Sequence, residues 1–206
     1  MRRTNFLTDN NQVICELLNE SEVGQLGIIT DDGYPRVVPV NFVAEGTTVF
    51  FHGADEGEKF SVLIRNPKVT FSVSKPYSII PSYWLAKDYA CPATALYKSV
   101  QINGMIRIID DLLEKARVLN LLMDKLQPEG GYKTIDPSEK MYAAALSKVQ
   151  VFRIETEHFS AKSKFAQNKP ESVRRELIVR LEQRNQGMDR VTAGEIAKTL
   201  SDHAWQ

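Results

Sequence analysis

Residues 25–53 read QLGIITDDGYPRVVPVNFVAEGTTVFFHG, and the fold turns on how they divide. Three runs rich in β-branched and aromatic residues are separated by Asp31-Asp32-Gly33-Tyr34 and by Ala44-Glu45-Gly46-Thr47. Such residues fit a pleated, half-buried surface, and Asp-Gly between two of the runs is a hairpin turn signal. The spacing predicts three antiparallel strands joined as a meander.

Working outward, residues 9–20 place Val13, Leu17 and Glu20 on one side, with Ile14 and Leu18 beside them. That is a helical period, and Gly24 is expected to end the element. Downstream, Asp55 is expected to cap a short helix with Phe60, Leu63 and Ile64 on its apolar face. Pro67 stops it, because a residue before proline avoids the helical region. Residues 68–74 alternate Val69, Phe71 and Val73 and predict a fourth strand. Residues 76–94 are rich in Pro and aromatics and read as a long connection, a kind of loop that is often functional. Residues 96–110 resume as strand, with Gly104 expected as a bulge or bend. Residues 110–126 predict a helix capped by Asp110 or Asp111, burying a stripe of Leu112, Ala116, Leu119, Met123 and Leu126. Residues 128–134 are a loop and 148–159 a last strand. A tail follows, with one helix burying Val173, Leu177 and Leu181 and another opened by a capping box at Thr192. About six strands in mostly meander order, with helices at the joints, predict a mainly β antiparallel barrel that closes its own edges. The pattern is not βαβ, which disfavours a doubly wound nucleotide fold.

The bulk numbers narrow the function classes. The 206 residues suit one domain with extensions, and 43% are apolar, enough for a core. Twenty-six basic and 26 acidic residues give zero formal net charge, which argues against a dedicated nucleic-acid or membrane-surface binder. Two distant cysteines, Cys15 and Cys91, fit a reduced, cytoplasmic protein. His52, His158 and His203 form no metal-ligand pair. The two N-terminal arginines precede no apolar run, so no signal peptide is expected, and no segment approaches the ~18–20 apolar residues of a membrane helix. No nucleophile–base motif, zinc motif or phosphate loop is present, so any redox or transfer chemistry would fall to a cofactor.

Four stretches are candidates for ligand contact, and each has a plain structural reading. Arg36 opens the strand that holds Pro39. Proline mid-strand belongs at an edge, where it blocks aggregation or leaves backbone groups free for a ligand. His52, Gly53 and Lys59 are either a turn with a solvated lysine or a phosphate seat. Gly allows close approach, and Lys59 at a helix start adds charge where amides already favour anions. Arg36 and Lys59 together suit a phosphate monoester. Ser99 and Val100 are either ordinary strand residues or ligand contacts, and no sequence rule separates the two. Lys162, Lys164, Gln167, Asn168 and Lys169 read most simply as a solvated basic linker.

Taken together, residues 24–74, YKSVQINGMIRII and FSAKSKFAQNKP resemble the FMN-binding split-barrel family related to pyridoxamine 5'-phosphate oxidase, and within it the nitroimidazole-resistance-like flavin-nucleotide-binding branch. The resemblance covers most of residues 2–170. It implies a mainly β, antiparallel split-barrel homodimer with FMN between the subunits. By that resemblance residues 1–160 form the FMN-binding domain, and 161–206 a cofactor-closing segment with a helical tail. It implies that Arg36 and Lys59 bind the phosphate and that Val38, Pro39, Val40 and Asn41 face the flavin ring. His52, Gly53 and Ala54 would line it, and Ser99 and Val100 would come from the partner strand. Lys164, Gln167 and Asn168 would close over the cofactor. The implied activity is that of an FMN-dependent oxidoreductase passing electrons from NAD(P)H to a small nitroaromatic or quinone-like acceptor; no catalytic acid is assigned, His52 being the best candidate. A non-catalytic flavin sensor and a haem-binding protein on the same barrel are the alternatives. Asn41 stands where true pyridoxamine phosphate oxidases carry lysine, and their Trp- and Arg-containing end is absent, which argues against a vitamin B6 substrate. The aromatic residues Tyr77, Tyr83, Trp84 and Tyr89 are candidates for shaping a different substrate pocket.

Overall fold

The computed structural model describes residues 4–201; His203, and so any role for it, lies outside them. The elements in chain order are β1 (Leu7–Thr8), α1 (Asn11–Glu20), β2 (Val23–Ile29), β3 (Pro35–Glu45), β4 (Thr48–Gly53), α2 (Glu58–Arg65) and β5 (Lys68–Ile80). After a short 3-10 turn come β6 (Thr94–Ile109), α3 (Leu112–Leu126), α4 (Lys140–Lys148), β7 (Gln150–Lys164), α5 (Glu171–Arg184) and α6 (Asp189–Ser201). The sheet order is β1-β7-β4-β3-β2-β5-β6, and β6 also pairs with β7. That last pairing closes six strands on themselves, so the antiparallel barrel predicted from the meander is present with seven strands. Among the described residues no helix is long and apolar enough to cross a membrane.

Backbone contacts divide the chain into two units that interleave along the sequence. One holds residues 10–73 and 100–159, the other residues 1–9, 74–99 and 160–206.

In the larger unit both faces of the central strands are covered, which is why residues 49–51 read as an unbroken apolar run. Phe42 opposes Phe51, and Phe51 opposes Phe152, so these three share one face. Phe51 and Phe152 stack with centroids 4.9 Å apart, and Phe42 meets Phe71 edge-on at 4.8 Å. On the other face Val43, Phe50 and Val151 pack with Ile109, Val118 and Leu122.

Several local expectations give way to this packing. Gly24 does not end α1 but lies inside β2, where a Cβ would fall 2.1 Å from the Phe71 ring. Asp55 does not cap α2; Gly57 does, at φ 92°, a conformation that favours glycine. The side of α3 that is buried is rotated from the expected stripe. Leu112 and Leu126 are exposed, while Lys115, Ala116, Val118 and Leu122 are buried. Val118 and Leu122 pack against Val43, Phe50 and Ile109, and Lys115, carried inward on the same side, donates its ammonium to the Val149 carbonyl at 2.9 Å. Asp111 does cap α3, accepting from the Glu114 amide at 2.8 Å.

In the smaller unit Ile80, Leu96, Phe165, Leu177, Leu181 and Ile196 form the core. Residues 76–80 are not loop: β5 runs on through Pro76 to Ile80. Tyr77 and Trp84 are filler for that core, with Tyr77 edge-on to Phe165 at 4.9 Å, whereas Tyr83 and Tyr89 are exposed. Thr192 is not a cap but sits inside α6, buried, near Asp189. Asp189 accepts from Ser78 at 2.6 Å and from both Nε and a terminal nitrogen of Arg184 at 2.7 Å. Lys98 and Glu195 pair at 2.9 Å with both side chains nearly buried.

Candidate functional site

The turn after β4 brings Lys59 back onto the strand it has just left. A Cβ on Gly53 would fall 3.0 Å from Lys59 Nζ and 3.4 Å from its Cε. Glycine thus lets the ammonium lie close to the backbone at the end of β4, where a Cβ would push the lysine end aside by a few tenths of an ångström. Lys59 Nζ is also 5.8 Å from the centroid of the Phe51 ring, the upper member of the Phe51–Phe152 stack. Desolvation lowers the Lys59 pKa, and among the described residues no carboxylate pairs with it. A half-buried ammonium without a counter-charge is an unfinished arrangement, since burial of an ion is offset only by pairing or hydrogen bonding.

Arg36 arrives at the same helix start by a different route. Its guanidinium is ion-paired with Glu58, the residue next to Lys59. A second pair, Arg65 with Asp31, fastens the far end of α2 to the β2–β3 turn. Glu58 escaped the sequence reading, although an acid on the first turn of a helix beside Lys59 was there to be seen.

The register of β3 sorts the remaining candidates by face. Arg36, Val38 and Val40 oppose Ile28, Leu26 and Gly24. Pro39 and Asn41 oppose Gln25 and Val23 on the other face. The side chains of residues 38–41 therefore point alternately to two faces, and a flat ring along this stretch could meet all four only through the main chain. That main chain is accessible in pattern: β4 pairs with β3 only from Phe42 onward, so residues 35–41 have β2 as their one sheet neighbour. Pro39 thus occupies an edge-like stretch. Val40 is buried, Val38 half-buried, and the Asn41 amide donates to the Glu22 carbonyl at 3.1 Å. Val100 is buried.

His52 precedes Gly53 and opposes Val151, so its ring lies on the face opposite the Phe51 stack. Ala54 follows, exposed. Desolvation first, and the charge on Lys59 second, lower the His52 pKa below its ordinary value. In the window just below pH 6.5 the unfolded chain then binds the proton more readily than the folded one. This site's contribution to stability is lost as pH falls through that window. Histidine resonances followed by NMR should place the His52 midpoint below 6.5, and Lys59→Met should raise it part of the way back. A midpoint at or above 6.5 contradicts the geometry.

In the smaller unit Ser99 is half-buried. Lys164 donates to the Thr94 hydroxyl at 2.5 Å and lies over the Tyr97 ring at 5.6 Å. Gln167 is engaged by its own chain. Its oxygen accepts from the Phe165 amide at 2.7 Å, and its nitrogen donates to the Ser163 carbonyl at 2.5 Å. Asn168 is exposed. Among the described residues no group of three His, Cys, Asp or Glu side chains could hold a metal ion.

The family model described as pyridoxamine 5'-phosphate oxidase matches residues 10–163. The chain belongs to the pyridoxamine 5'-phosphate oxidase family. Among solved structures, this family member is similar to a Bacteroides thetaiotaomicron protein named for 5-nitroimidazole antibiotic resistance, at 23% identity and a TM-score of 0.61 over 76% of this chain and 85% of that one. A flavocytochrome from Azotobacter vinelandii aligns at 22% identity and a TM-score of 0.67, covering 80% and 72%. The FAD and haem binding protein from Mycobacterium smegmatis aligns at 16% and 0.62, covering 77% and 73%. At these identities the likeness is one of fold. No curated protein matches.

Proposed function

We propose that this family member binds FMN and acts as an FMN-dependent oxidoreductase, taking electrons from NAD(P)H and passing them to a small organic acceptor such as a nitroaromatic compound. The observation that carries the reading is Lys59. Its ammonium lies half-buried against Gly53 with no carboxylate partner among the described residues, and Arg36 is tied to the adjoining Glu58. The two cations and the first amides of α2 fit a phosphate monoester in charge and in number. Val38, Pro39, Val40 and Asn41 would meet the ring through an edge-like main chain, and His52, Gly53 and Ala54 would line its border. FMN, when bound, would supply the hydride chemistry; the chain binds it, orients it and neutralises its phosphate. Arg36 must exchange Glu58 for the incoming phosphate, so Glu58 weakens the affinity that the two cations would otherwise give.

The site would be completed in a homodimer by Ser99 of the partner subunit and Val100 of the partner subunit. An apolar outer face on β2 and β3 fits this, since Val23, Ile29 and Val37 stand 46%, 46% and 62% exposed there. Large apolar groups left open in this way are characteristic of an interface.

A second reading is favoured by one observation. His52 lies on the face opposite the Lys59 seat, and the acid beside that seat, Glu58, is held in an ion pair with Arg36, as suits a flavin-binding module without turnover of its own. The absorption spectrum of the purified protein, alone, with added FMN and then with NADPH and a nitro compound, separates the cases. Flavin bands that bleach with NADPH and return with the acceptor support the enzyme. Bands that never bleach support the module. A protein that takes up no flavin would falsify both.

A further inference from the structure

The smaller unit contains a cavity of about 200 Å³ that shares only Lys164 and Asn168 with the flavin contacts the family resemblance implies. One side is apolar, built by Leu85, Leu96 and Leu177. The other carries Thr94, Lys164, Asn168 and Lys169. Among the described residues no acidic one lines it. From this division we propose a binding site for a small organic anion: a carboxylate on a single apolar ring or short branched chain.

Size sets the upper limit. A cavity of about 150 Å³ is enough to take up benzene, so about 200 Å³ accommodates one ring with a carboxylate and little more. Charge sets the polarity of the ligand. Lys164 is positioned by the Thr94 hydroxyl at 2.5 Å and by the face of Tyr97. The Lys169 ammonium makes no hydrogen bond or ion pair among the described residues. Immediately after it, Pro170 precedes α5 as its N-cap residue and supplies no side-chain cap, so the free amides of the first turn add positive potential at the same end. The one acid on that turn, Glu171, is paired with Arg175 at 2.7 Å.

The backbone is held out of its easy range to make this arrangement. Ala166 lines the cavity at φ 62°, in the left-handed region that disfavours a residue with a Cβ. Gln167 clamps the turn from both sides, and the Lys169 amide donates to the Ala166 carbonyl at 2.8 Å. Strain of this sort persists where the surroundings over-determine it, which is common at ligand sites. The turn directs Lys164, Asn168 and Lys169 into one space. Lys164 and Asn168 thereby acquire a ligand of their own, distinct from the flavin that family resemblance gives them.

Titration of the full chain with benzoate and with benzamide, read by calorimetry and by amide NMR shifts, tests the site. Benzoate should bind at least tenfold more tightly than its neutral counterpart, with shifts concentrated at residues 91–96 and 164–169. Lys169→Gln and Lys164→Gln should each weaken benzoate about tenfold, the effect of one charge-assisted hydrogen bond, and Lys169→Gln should leave FMN affinity within about twofold. Equal binding of benzoate and benzamide, no binding of benzoate, or wild-type affinity in both lysine variants overturns the proposal. So does competition between benzoate and FMN, which would return the cavity to the cofactor. Failure to bind FMN leaves the benzoate result standing, so the two readings fail separately.

Discussion

Gly104→Ala should lower the unfolding free energy by about 3 kcal/mol, at the upper end of what overpacking usually costs. Gly104 sits in β6 where that strand meets β7. A Cβ there would fall 2.2 Å from the Glu155 carbonyl oxygen and 3.0 Å from its carbonyl carbon. Those are backbone atoms in a strand, so nothing nearby can rotate away, and β6 and β7 would have to separate at the pairing that closes the barrel. The matching control is Gly194→Ala in α6. No atom lies within 4 Å of its added Cβ, and alanine in a helix interior should raise stability by up to about 1 kcal/mol. Urea denaturation of the two variants and the wild type reads both effects. A Gly104→Ala protein as stable as the wild type would mean that β6 and β7 do not approach here.

Gly104 also marks where sequence legibility ends. An isolated glycine in a strand suggests a bulge, a bend or a close approach, and spacing alone cannot choose among them. The close approach depends on β7, 51 positions further on, a pairing that no local pattern encodes. Gly24 repeats the lesson: it reads as a helix stop, yet its function is to leave room for Phe71. By contrast, the β2–β3–β4 meander is set by turn chemistry within about thirty residues and is fully legible. Pro76 misled in the other direction. Proline reads as a strand breaker, yet β5 runs through it. The helix α4 was not foreseen because Leu146 is its one buried residue, too little for a periodic signal.

The candidate site divides the same way. Arg36, Gly53 and Lys59 are legible as a set because their order along the chain is fixed by two turns and one helix start. The pairing of Arg36 with Glu58, and the opposite facing of Val38 and Pro39, follow from three-dimensional register. A string of four neighbouring residues cannot reveal that its side chains serve two faces. The tail residues show a further limit. Lys164 and Gln167 look equivalent in the sequence, but Lys164 enters a cavity while Gln167 holds the turn that shapes it.

Lys59→Met should weaken FMN binding tenfold to a hundredfold, the range expected for losing hydrogen bonds to a charged group, about 1.5–3 kcal/mol. Methionine keeps an unbranched apolar side chain over Phe51, so the change isolates the ammonium from its packing. Protein stability should hold or rise slightly, because the wild type has a desolvated cation with no carboxylate paired to it among the described residues. That pairing of outcomes, weaker ligand and undiminished fold, separates a binding lysine from a structural one. Lys59→Arg should not restore affinity, although it keeps the charge. A planar guanidinium presents its donors as a fixed fork, so it does not reproduce the compact point charge that Lys59 places beside Gly53. Glu58→Gln should act in the opposite sense and tighten FMN severalfold, since it frees Arg36 and removes a negative charge from the phosphate's approach. Fluorescence quenching of FMN on titration with each variant measures all three. If Lys59→Met binds FMN as the wild type does, the phosphate is not seated at Gly53, and the flavin would have to be held by other residues.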